Sequence, residues 1–521
     1  MLGTHHLPRR LGWAIRAVLI MSALSTCLSV AVEASPLSHT ELLDSIDEAL
    51  EIGRGQRSGR LMRAVDPNER YEANFSLLFL SKLAAEGSFE TLFRVADEAF
   101  EAEFDKKGGA TRGPQIAEAV YQGDHSPPPN QPIHNGELGG LDGSSCRSCH
   151  FSGGPDGAGS GSQLTLLRGD GERLESAVRR DPPHVMGLGY ISLAARDMQA
   201  ELDELVRSAQ KRARLDGRPY EMKLEAMGVS FGAITAQPDG QLDRSQVEGI
   251  SADLKLRPFG WKGRHAELIS LCDEALQVHH GIQSQSRIDA MLKREDRALY
   301  LGAGSIYDPD EDGKQQELSD GQGVAMAAYV SLLGAPIIKP PSSPRLALAW
   351  SRGRESFETI GCAGCHRTDL RFRWRPLVFE RGEQRIEIDL REGGQAPKLR
   401  TVDFSPTSDG LILPGTPLLA LTDLKRHDMG PGLAEPVAER LPDGGGEVSG
   451  ALWLTRPLWG LADSAPYLHD GRAQTVEEAI LWHGGEAEAS RRRYQRLSAE
   501  ERGALRMYLM SLTREPVLLI E

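Results

Sequence analysis

Two short stretches of the chain place two cysteines three positions apart, each pair followed directly by a histidine. They read "SSCRSCHFSG" at 144–153 and "IGCAGCHRTD" at 360–369. The side chains concerned are Cys146, Cys149, His150, Cys362, Cys365 and His366. Two thiols at this spacing on one helical turn can react with the same planar group, and the imidazole that follows can bind a metal at its centre.

This pattern is typical of covalent c-type haem attachment. Each cysteine adds to one vinyl group, and the histidine binds the iron as its proximal ligand, which helps to set the reduction potential. A structural zinc site would need cysteine pairs about 15–20 residues apart, whereas His150 and His366 are 216 positions apart (366 minus 150). A thioredoxin-like pair is expected near a βαβ pattern, which the sequence does not show. We therefore predict two c-type haems with these histidines as proximal ligands.

The sixth ligand of each iron decides between an electron carrier and a catalyst. An iron with both axial positions filled transfers electrons, whereas an open position can bind a substrate. The candidate ligands in the chain are His184, His279, His280, His427, Met429, His469 and His483. For any single one of these histidines, a structural role is the default interpretation.

The N-terminus has the features of an export signal. Arg9, Arg10 and Arg16 flank the start of an apolar run over 17–32, and small residues follow at a cleavage position. We predict a signal peptide over 1–34 and a periplasmic protein. An uncleaved anchor is the alternative, but the run is short for a spanning helix.

Composition excludes some classes of protein. The formal net charge is -14, so a nucleic-acid partner is not expected, and a basic redox partner is favoured. Four of the six cysteines lie in the two motifs, which argues against a disulfide scaffold.

Helix signals dominate the rest of the chain and predict a mainly α fold. Thr475 with Glu478 and Ser498 with Glu501 form capping boxes, which mark helix starts. Strand signals are sparse. The Pro-rich stretch "GAPIIKPPSSP" at 334–344 reads as a linker.

We expect four segments along the chain. They are a signal peptide at 1–34, a helical N-terminal segment at 35–125, a first haem domain at 126–335 and a second haem domain at 345–521. The internal repeat is coarse, with one CxxCH motif in each of the two halves.

Several further stretches resemble a known family. "GLGYISLAARD", "RPFGWKGRHAEL", "HDMGPGL" and "RPLWGLADSAPYLHDGRAQTVEEAILWHGGEAE" resemble the bacterial di-haem oxidoreductases, a branch of the di-haem cytochrome c peroxidase and methylamine-dehydrogenase-maturation superfamily. The resemblance covers 130–515 and leaves 37–120 largely unmatched. It implies two cytochrome c-like haem domains packed across an interface. One haem would receive electrons, and the other would reduce hydrogen peroxide.

The resemblance also implies roles for particular residues. His483 corresponds to the sixth ligand of the electron-accepting haem, which is commonly methionine in the peroxidases, and Met429 is the alternative. Trp261 would lie between the haems and relay electrons, unless it is a core aromatic. Arg264 would lie near haem propionates. His280 would be catalytic, or it would close the first haem as its sixth ligand.

Acid–base residues of the peroxidases do not align securely with this chain. Glu267, Glu274, His279 and His280 are the candidates. Peroxidases of the superfamily also hold calcium, and "DPDEDG" at 308–313 has alternating aspartates. Ser319 occupies the twelfth position of that loop, so a solvated acidic turn is favoured.

The expected function is an exported di-haem oxidoreductase of peroxidase type. Its partners would be a small redox protein or a quinol-derived electron donor and an oxidant such as hydrogen peroxide, and a homodimer is compatible with the sequence. Two alternatives remain open. One is a pure electron-transfer cytochrome. The other is a protein-modifying oxidase like the methylamine dehydrogenase maturation enzyme, which has a tyrosine where this chain has His483.

Overall fold

The structure is a computed structural model of the 521-residue chain. It describes Phe100 and residues 133–134, 137–138, 143, 145–150, 165–167, 178–280, 282, 284, 317–318, 320–381, 384–390, 416–436 and 438–513. The chain divides into two compact units, 1–52 and 53–521, and every described residue belongs to the second unit. The predicted signal peptide, most of the predicted N-terminal helical segment and the acidic stretch 308–313 lie outside the described residues.

Seven α-helices occur in the described residues. They are α1 (Leu188–Asp216), α2 (Leu268–His280), α3 (Asp320–Leu332), α4 (Pro344–Thr359), α5 (Val476–Trp482), α6 (Glu488–Arg496) and α7 (Ala499–Leu509). Both predicted capping boxes are formed, by Thr475 with Glu478 at the start of α5 and by Ser498 with Glu501 at the start of α7. Among these helices, none is long and apolar enough to cross a membrane.

The described residues also form seventeen short strands. They are β1 (Ile133–His134), β2 (Glu137–Leu138), β3 (Thr165–Leu167), β4 (Val178–Arg180), β5 (Tyr220–Ala226), β6 (Val229–Ala236), β7 (Leu242–Val247), β8 (Ile337–Ile338), β9 (Arg371–Phe372), β10 (Leu377–Arg381), β11 (Gln384–Ile388), β12 (Thr416–Pro417), β13 (Arg426–Asp428), β14 (Glu439–Arg440), β15 (Glu447–Val448), β16 (Leu452–Leu454) and β17 (Leu512–Thr513). The strands β5, β6 and β7 form a three-stranded antiparallel sheet. The others form the two-stranded antiparallel sheets β1–β2, β3–β4, β8–β17, β9–β12, β10–β11, β13–β16 and β14–β15.

The prediction of a mainly α fold is therefore wrong. The described residues combine helices with eight small antiparallel sheets. Most strands have only two or three residues, too few for an alternating pattern to be recognised. The strands of the sheet β5–β7 are longer, and in β5 "YEMKLEA" alternates polar and apolar residues with a burial that alternates in step. Met227 and Gly228 close the β5–β6 hairpin with positive φ angles of 51° and 73°, as type I′ turns require.

The predicted linker also contains regular structure. Strand β8 lies within 334–344 and pairs with β17 near the C-terminus, with Ile338 opposite Leu512. The proline that follows does not disturb the pairing, because the strand ends before it. This short sheet ties the start of the second half of the chain to its end.

Two helices of the second half cross at very short distance. A Cβ added at Gly353 of α4 would overlap the carbonyl oxygen of Ala504 in α7. One turn further along both helices, the rings of Phe357 and Tyr508 meet edge to face with centroids 5.4 Å apart. Glycine thus permits the close approach that buries the aromatic pair.

An aromatic ring contacts the motif histidine in the same way in both halves. The Phe357 ring lies 6.4 Å from that of His366, and the Phe100 ring lies 6.2 Å from that of His150. Phe100 also lies 4.6 Å from the ring of Tyr329 in α3, as Phe357 contacts a tyrosine of α7. The two CxxCH motifs therefore sit in similar aromatic surroundings.

Candidate haem centres

The two CxxCH motifs fold into the same local turn. Each begins with a 3₁₀ turn at its first cysteine, Cys146–Ser148 and Cys362–Gly364. The backbone N–H of each histidine donates to the carbonyl oxygen of the first cysteine at 3.0 Å. None of the four motif cysteines is joined in a disulfide, so the donor set for two covalent haems is present.

The first motif lines a large cavity. Its empty volume, which includes open solvent at the mouth, is about 1520 Å³. Its apolar lining comprises Phe100, Leu167, Pro182, Pro183, Val185, Leu188, Phe259, Leu271, Leu276, Val278, Met326 and Val330. Burial, and secondly the charge of Cys149, raises the pKa of the Cys146 thiol to about 12. An apolar cavity lined by two thiols and a histidine fits a haem.

One part of the cavity wall is polar. The indole N–H of Trp261 donates to the backbone carbonyl of Asp181 at 3.0 Å, and the guanidinium carbon of Arg456 lies 5.1 Å from the centroid of the Trp261 ring. Arg456 has no carboxylate partner among the described residues, and burial lowers its pKa to about 10. Its charge is available for an anionic group bound in the cavity.

Arg264 lines the cavity but is already engaged. Its guanidinium contacts Glu274 at 2.5 Å and Glu439 at 3.3 Å, and it donates to the carbonyl of Arg440 at 2.6 Å. Burial alone would raise the pKa of Glu274, but the charges of Arg264 and His265 hold that pKa well below its usual range. Arg264 and Glu274 therefore form a charged, mutually satisfied pair. Glu267, the other glutamate candidate, is not one of the described residues that line the cavity.

A buried charge network joins this wall to the second half of the chain. Arg180, the last residue of β4, bonds to both Glu435 and Glu439. Lys262 is fully buried, donates to the carbonyl of Gly450 at 2.8 Å and lies 3.5 Å from the Trp453 ring centroid. The cavity of the first motif is thus built by residues from both halves.

His280 reaches the first motif from the end of α2. Its Nδ1 lies 2.7 Å from the carbonyl oxygen of Gly143, so Nδ1 donates in this hydrogen bond and Nε2 is the nitrogen that would bind a metal. The ring is buried and lines the cavity together with His279. This orientation suits either of the two roles predicted for His280.

The second motif histidine faces another histidine. The Nδ1 of His366 donates to the carbonyl of Leu421 at 3.0 Å, and the Nδ1 of His483 donates to that of Ala479 at 2.8 Å. Metal-bound histidines commonly donate their other N–H in this way. Burial first, and then the nearby charge of His483, lowers the pKa of His366 to about 4. The structure therefore brings together the two residues predicted as axial ligands of the second haem.

The other candidates near this site differ from His483. Met429 is half-buried, and its carbonyl oxygen packs against Gly484, so it lies beside the His483 segment. Both ring nitrogens of His427 bond to carboxylates, Nδ1 to Glu486 at 2.6 Å and Nε2 to Asp423 at 2.7 Å. Both nitrogens then carry protons, which leaves His427 without a lone pair for iron.

His184 and His469 are held by contacts of their own. The Nε2 of His184, on the wall of the first cavity, bonds to the carbonyl of Trp459 at 2.9 Å. The ring of His469 stacks on Trp453 with centroids 3.9 Å apart. These contacts give both histidines structural roles.

Comparison with known proteins agrees with the family resemblance. Residues 411–512 match the family described as "Di-haem oxidoreductase, putative peroxidase". The resemblance to the di-haem oxidoreductases is confirmed. The match supports a di-haem oxidoreductase, and so an enzyme, at this coarse level. No curated protein matches the chain.

Two solved structures are similar at low identity. Kuenenia stuttgartiensis hydrazine synthase pressurised with xenon is 14% identical with a TM-score of 0.30, and the alignment covers 78% of this chain and 94% of that one. A MauG-like protein associated with microbial copper homeostasis is 14% identical with a TM-score of 0.26, covering 64% and 89%. Scores this low carry no argument about the fold of this chain.

Two residues of the first site escaped prediction. Asp181 was not singled out, although "RRDPPH" places it before a rigid pair of prolines. Arg456 lies within the family-like stretch "RPLWGL" but had no role assigned to it. Their significance depends on burial, which the sequence pattern alone does not reveal.

Proposed function

We propose that the protein is an exported di-haem c-type oxidoreductase of peroxidase type, with a reactive site at His150 and an electron-accepting site at His366. The asymmetry between the two motif histidines is the observation that carries this proposal. His150 opens into a cavity of about 1520 Å³, whereas His366 lies beside His483, whose Nδ1 is fixed by a backbone carbonyl.

The residues of the first site would have different roles. Cys146 and Cys149 would anchor the haem covalently, and His150 would hold its iron from one side. When bound, haem supplies the iron and the redox chemistry for reducing a peroxide O–O bond. Overall, hydrogen peroxide, two electrons and two protons give two molecules of water. The apolar walls exclude bulk water from this reaction, which strengthens the charge interactions around it.

The residues of the second site would receive electrons. Cys362 and Cys365 would attach the haem, and His366 with His483 would fill both axial positions. Two imidazole ligands lower the reduction potential relative to a histidine and methionine pair. Trp261, on the wall of the first cavity, is positioned to pass electrons onward.

A pure electron carrier is the alternative that one observation favours. His280 lines the first cavity, and its Nδ1 lies 2.7 Å from the carbonyl oxygen of Gly143, so Nε2 is the ring nitrogen that would bind an iron. If that nitrogen binds the first iron in every redox state, both irons are closed and no peroxide can bind.

A small basic redox protein is the proposed electron donor. With a net charge of -14, the protein would attract a small basic redox protein. Peroxide turnover driven by such a donor would then slow with rising ionic strength, because salt screens the attraction.

Visible and EPR spectra of the purified protein, oxidised and half-reduced, test the proposal. A high-spin ferric signal in either state means that one iron is accessible, and peroxide turnover is then expected. Two low-spin haems in both states would instead establish the electron carrier. Absence of covalent haem on a denaturing gel would reject both.

A further inference from the structure

Asp181 occupies a fixed place on the wall of the first cavity. It follows directly on β4. Its backbone N–H donates to the carbonyl of His469 at 2.8 Å, and its own carbonyl accepts from the indole of Trp261 at 3.0 Å. The residue is only 3% exposed and lines the same cavity as His150. Backbone hydrogen bonds therefore fix the position of Asp181, and they do not involve its carboxyl group.

The carboxyl group of Asp181 lacks charge compensation. Its Oδ1 is buried and has no hydrogen-bond partner among the described residues. A buried carboxylate without a partner is strongly disfavoured relative to the neutral acid. In agreement, burial, and secondly the charge of Asp470, raises the pKa of Asp181 to about 7. The group can hold a proton at neutral pH and release it.

The other carboxyl groups of the cavity wall cannot do this. Glu274 is bound by Arg264 and His265, and Glu439 is bound by Arg180 and Arg264. The pKa of each is lowered by those partners against the effect of burial. Both therefore stay ionised and have no proton to give. Among the described carboxyl groups that line the cavity, Asp181 alone has no cationic partner.

The charged groups around Asp181 are consistent with this difference. Asp470 opposes ionisation of Asp181. Arg180, its neighbour in the chain, is neutralised by Glu435 and Glu439. Arg456 lies over the ring of Trp261. Among the described residues, no carboxylate forms an ion pair with Arg456. The neutral His469 contributes only its backbone carbonyl.

We propose that Asp181 is the proton donor of the first haem cavity, a role the sequence left to Glu267, Glu274 or the α2 histidines. The proposal rests on the proposed peroxide reduction. As the O–O bond breaks, the O–H bond of the Asp181 carboxyl group breaks and a new O–H bond forms on the departing oxygen. The two electrons come from the small redox donor. The second proton, and the one that restores Asp181, come from solvent through the open mouth.

Infrared difference spectroscopy of the haem-loaded protein between pH 5 and pH 9 tests the proton-holding role directly. The carbonyl stretch of a protonated carboxylic acid should disappear with a midpoint near pH 7 in the wild type and be absent in Asp181→Asn. Asp203→Asn, which changes an exposed helical carboxylate, should leave the band unchanged. A band that persists unchanged in Asp181→Asn overturns the proposal.

Asp470→Asn provides a variant that leaves Asp181 in place. Removal of the neighbouring negative charge should shift the midpoint of the same band to lower pH. If Asp181→Asn does not fold, this shift decides the question, and an unmoved midpoint counts against Asp181.

Fluoride binding to the oxidised or half-reduced protein tests proton delivery. In the wild type, affinity should fall about tenfold per pH unit above pH 7, as expected when one proton is required with the ligand. Asp181→Asn should lose this dependence. If the wild type binds no fluoride in either state, the proposed function fails, and the infrared band still shows whether Asp181 holds the proton. If both proteins bind fluoride with the same pH dependence, proton delivery by Asp181 is rejected.

Discussion

The indole N–H of Trp261 donates a hydrogen bond to the backbone carbonyl oxygen of Asp181 at 3.0 Å. This contact joins a residue proposed to relay electrons to a residue proposed to deliver protons, across 80 positions of sequence. Both line the cavity of the first CxxCH motif. Peroxide reduction needs electrons and protons at one place, and the wall formed by these residues could supply both.

Replacement of Trp261 by phenylalanine tests the proposed electron relay. Trp261→Phe keeps an aromatic ring but loses the N–H and the larger π-system. We expect peroxide turnover to fall at least about tenfold, a loss of about 1.4 kcal/mol, with unchanged covalent haem content. Turnover with a reduced small donor is the measurement.

Trp350→Phe is the matched control for that experiment. It removes an indole N–H bonded to Ser511 at 2.8 Å, in the core of the second half and away from the cavity. Equal losses of activity in the two variants would mean that a general structural effect, and not electron relay, explains the result.

Replacement of His483 tests the axial ligand of the second haem. His483→Ala should convert the low-spin signal of that haem to a high-spin signal. His483→Met should keep it low-spin and raise its midpoint potential, because methionine ligation raises the potential. EPR and potentiometric titration measure both effects. An unchanged spectrum in His483→Ala, with a changed one in Met429→Ala, would assign the ligand to Met429.

The proposed iron ligands were predictable from sequence, whereas the proposed proton donor was not. The CxxCH spacing identifies His150 and His366 directly, and the capping box at Thr475 fixes the start of the helix that ends at His483. Asp181 is buried by tertiary structure, and its backbone groups bond to the distant residues His469 and Trp261. No local pattern in "RRDPPH" carries information about residues so distant in the chain.

The fold shows the same difference between local features, which the sequence predicts, and contacts between distant residues, which it does not. Helices α5 and α7 begin where their capping residues predict, because capping is a local interaction within four residues. The pairing of β8 with β17 joins Ile338 to Leu512, two residues that follow no hairpin signal. Short strands paired over such separations form only because tertiary structure brings them together.

The crossing of α4 and α7 predicts opposite effects for two glycines. Gly353→Ala should lower the free energy of unfolding by about 1–3 kcal/mol, as overpacking does, because its Cβ would overlap the carbonyl oxygen of Ala504. Gly503→Ala, within α7, has no atom within 4 Å of its added Cβ and should stabilise the protein by roughly 0.5–1 kcal/mol. Denaturant unfolding of the haem-loaded protein measures both. Equal effects at the two positions would contradict the close crossing.

Stability should also record the protonation of Asp181. Its folded-state pKa is raised from 3.8 to about 7, so between these values the folded state binds more protons than the unfolded state. The free energy of unfolding therefore decreases as pH rises through this window. Asp181→Asn removes the penalty and should be more stable than the wild type at pH 8, by about 1–4 kcal/mol. The difference should shrink towards pH 4, as measured by denaturant unfolding at each pH. A variant that is less stable than the wild type at pH 8 would mean that the carboxylate has a stabilising partner, and Asp181 would then be a structural anion.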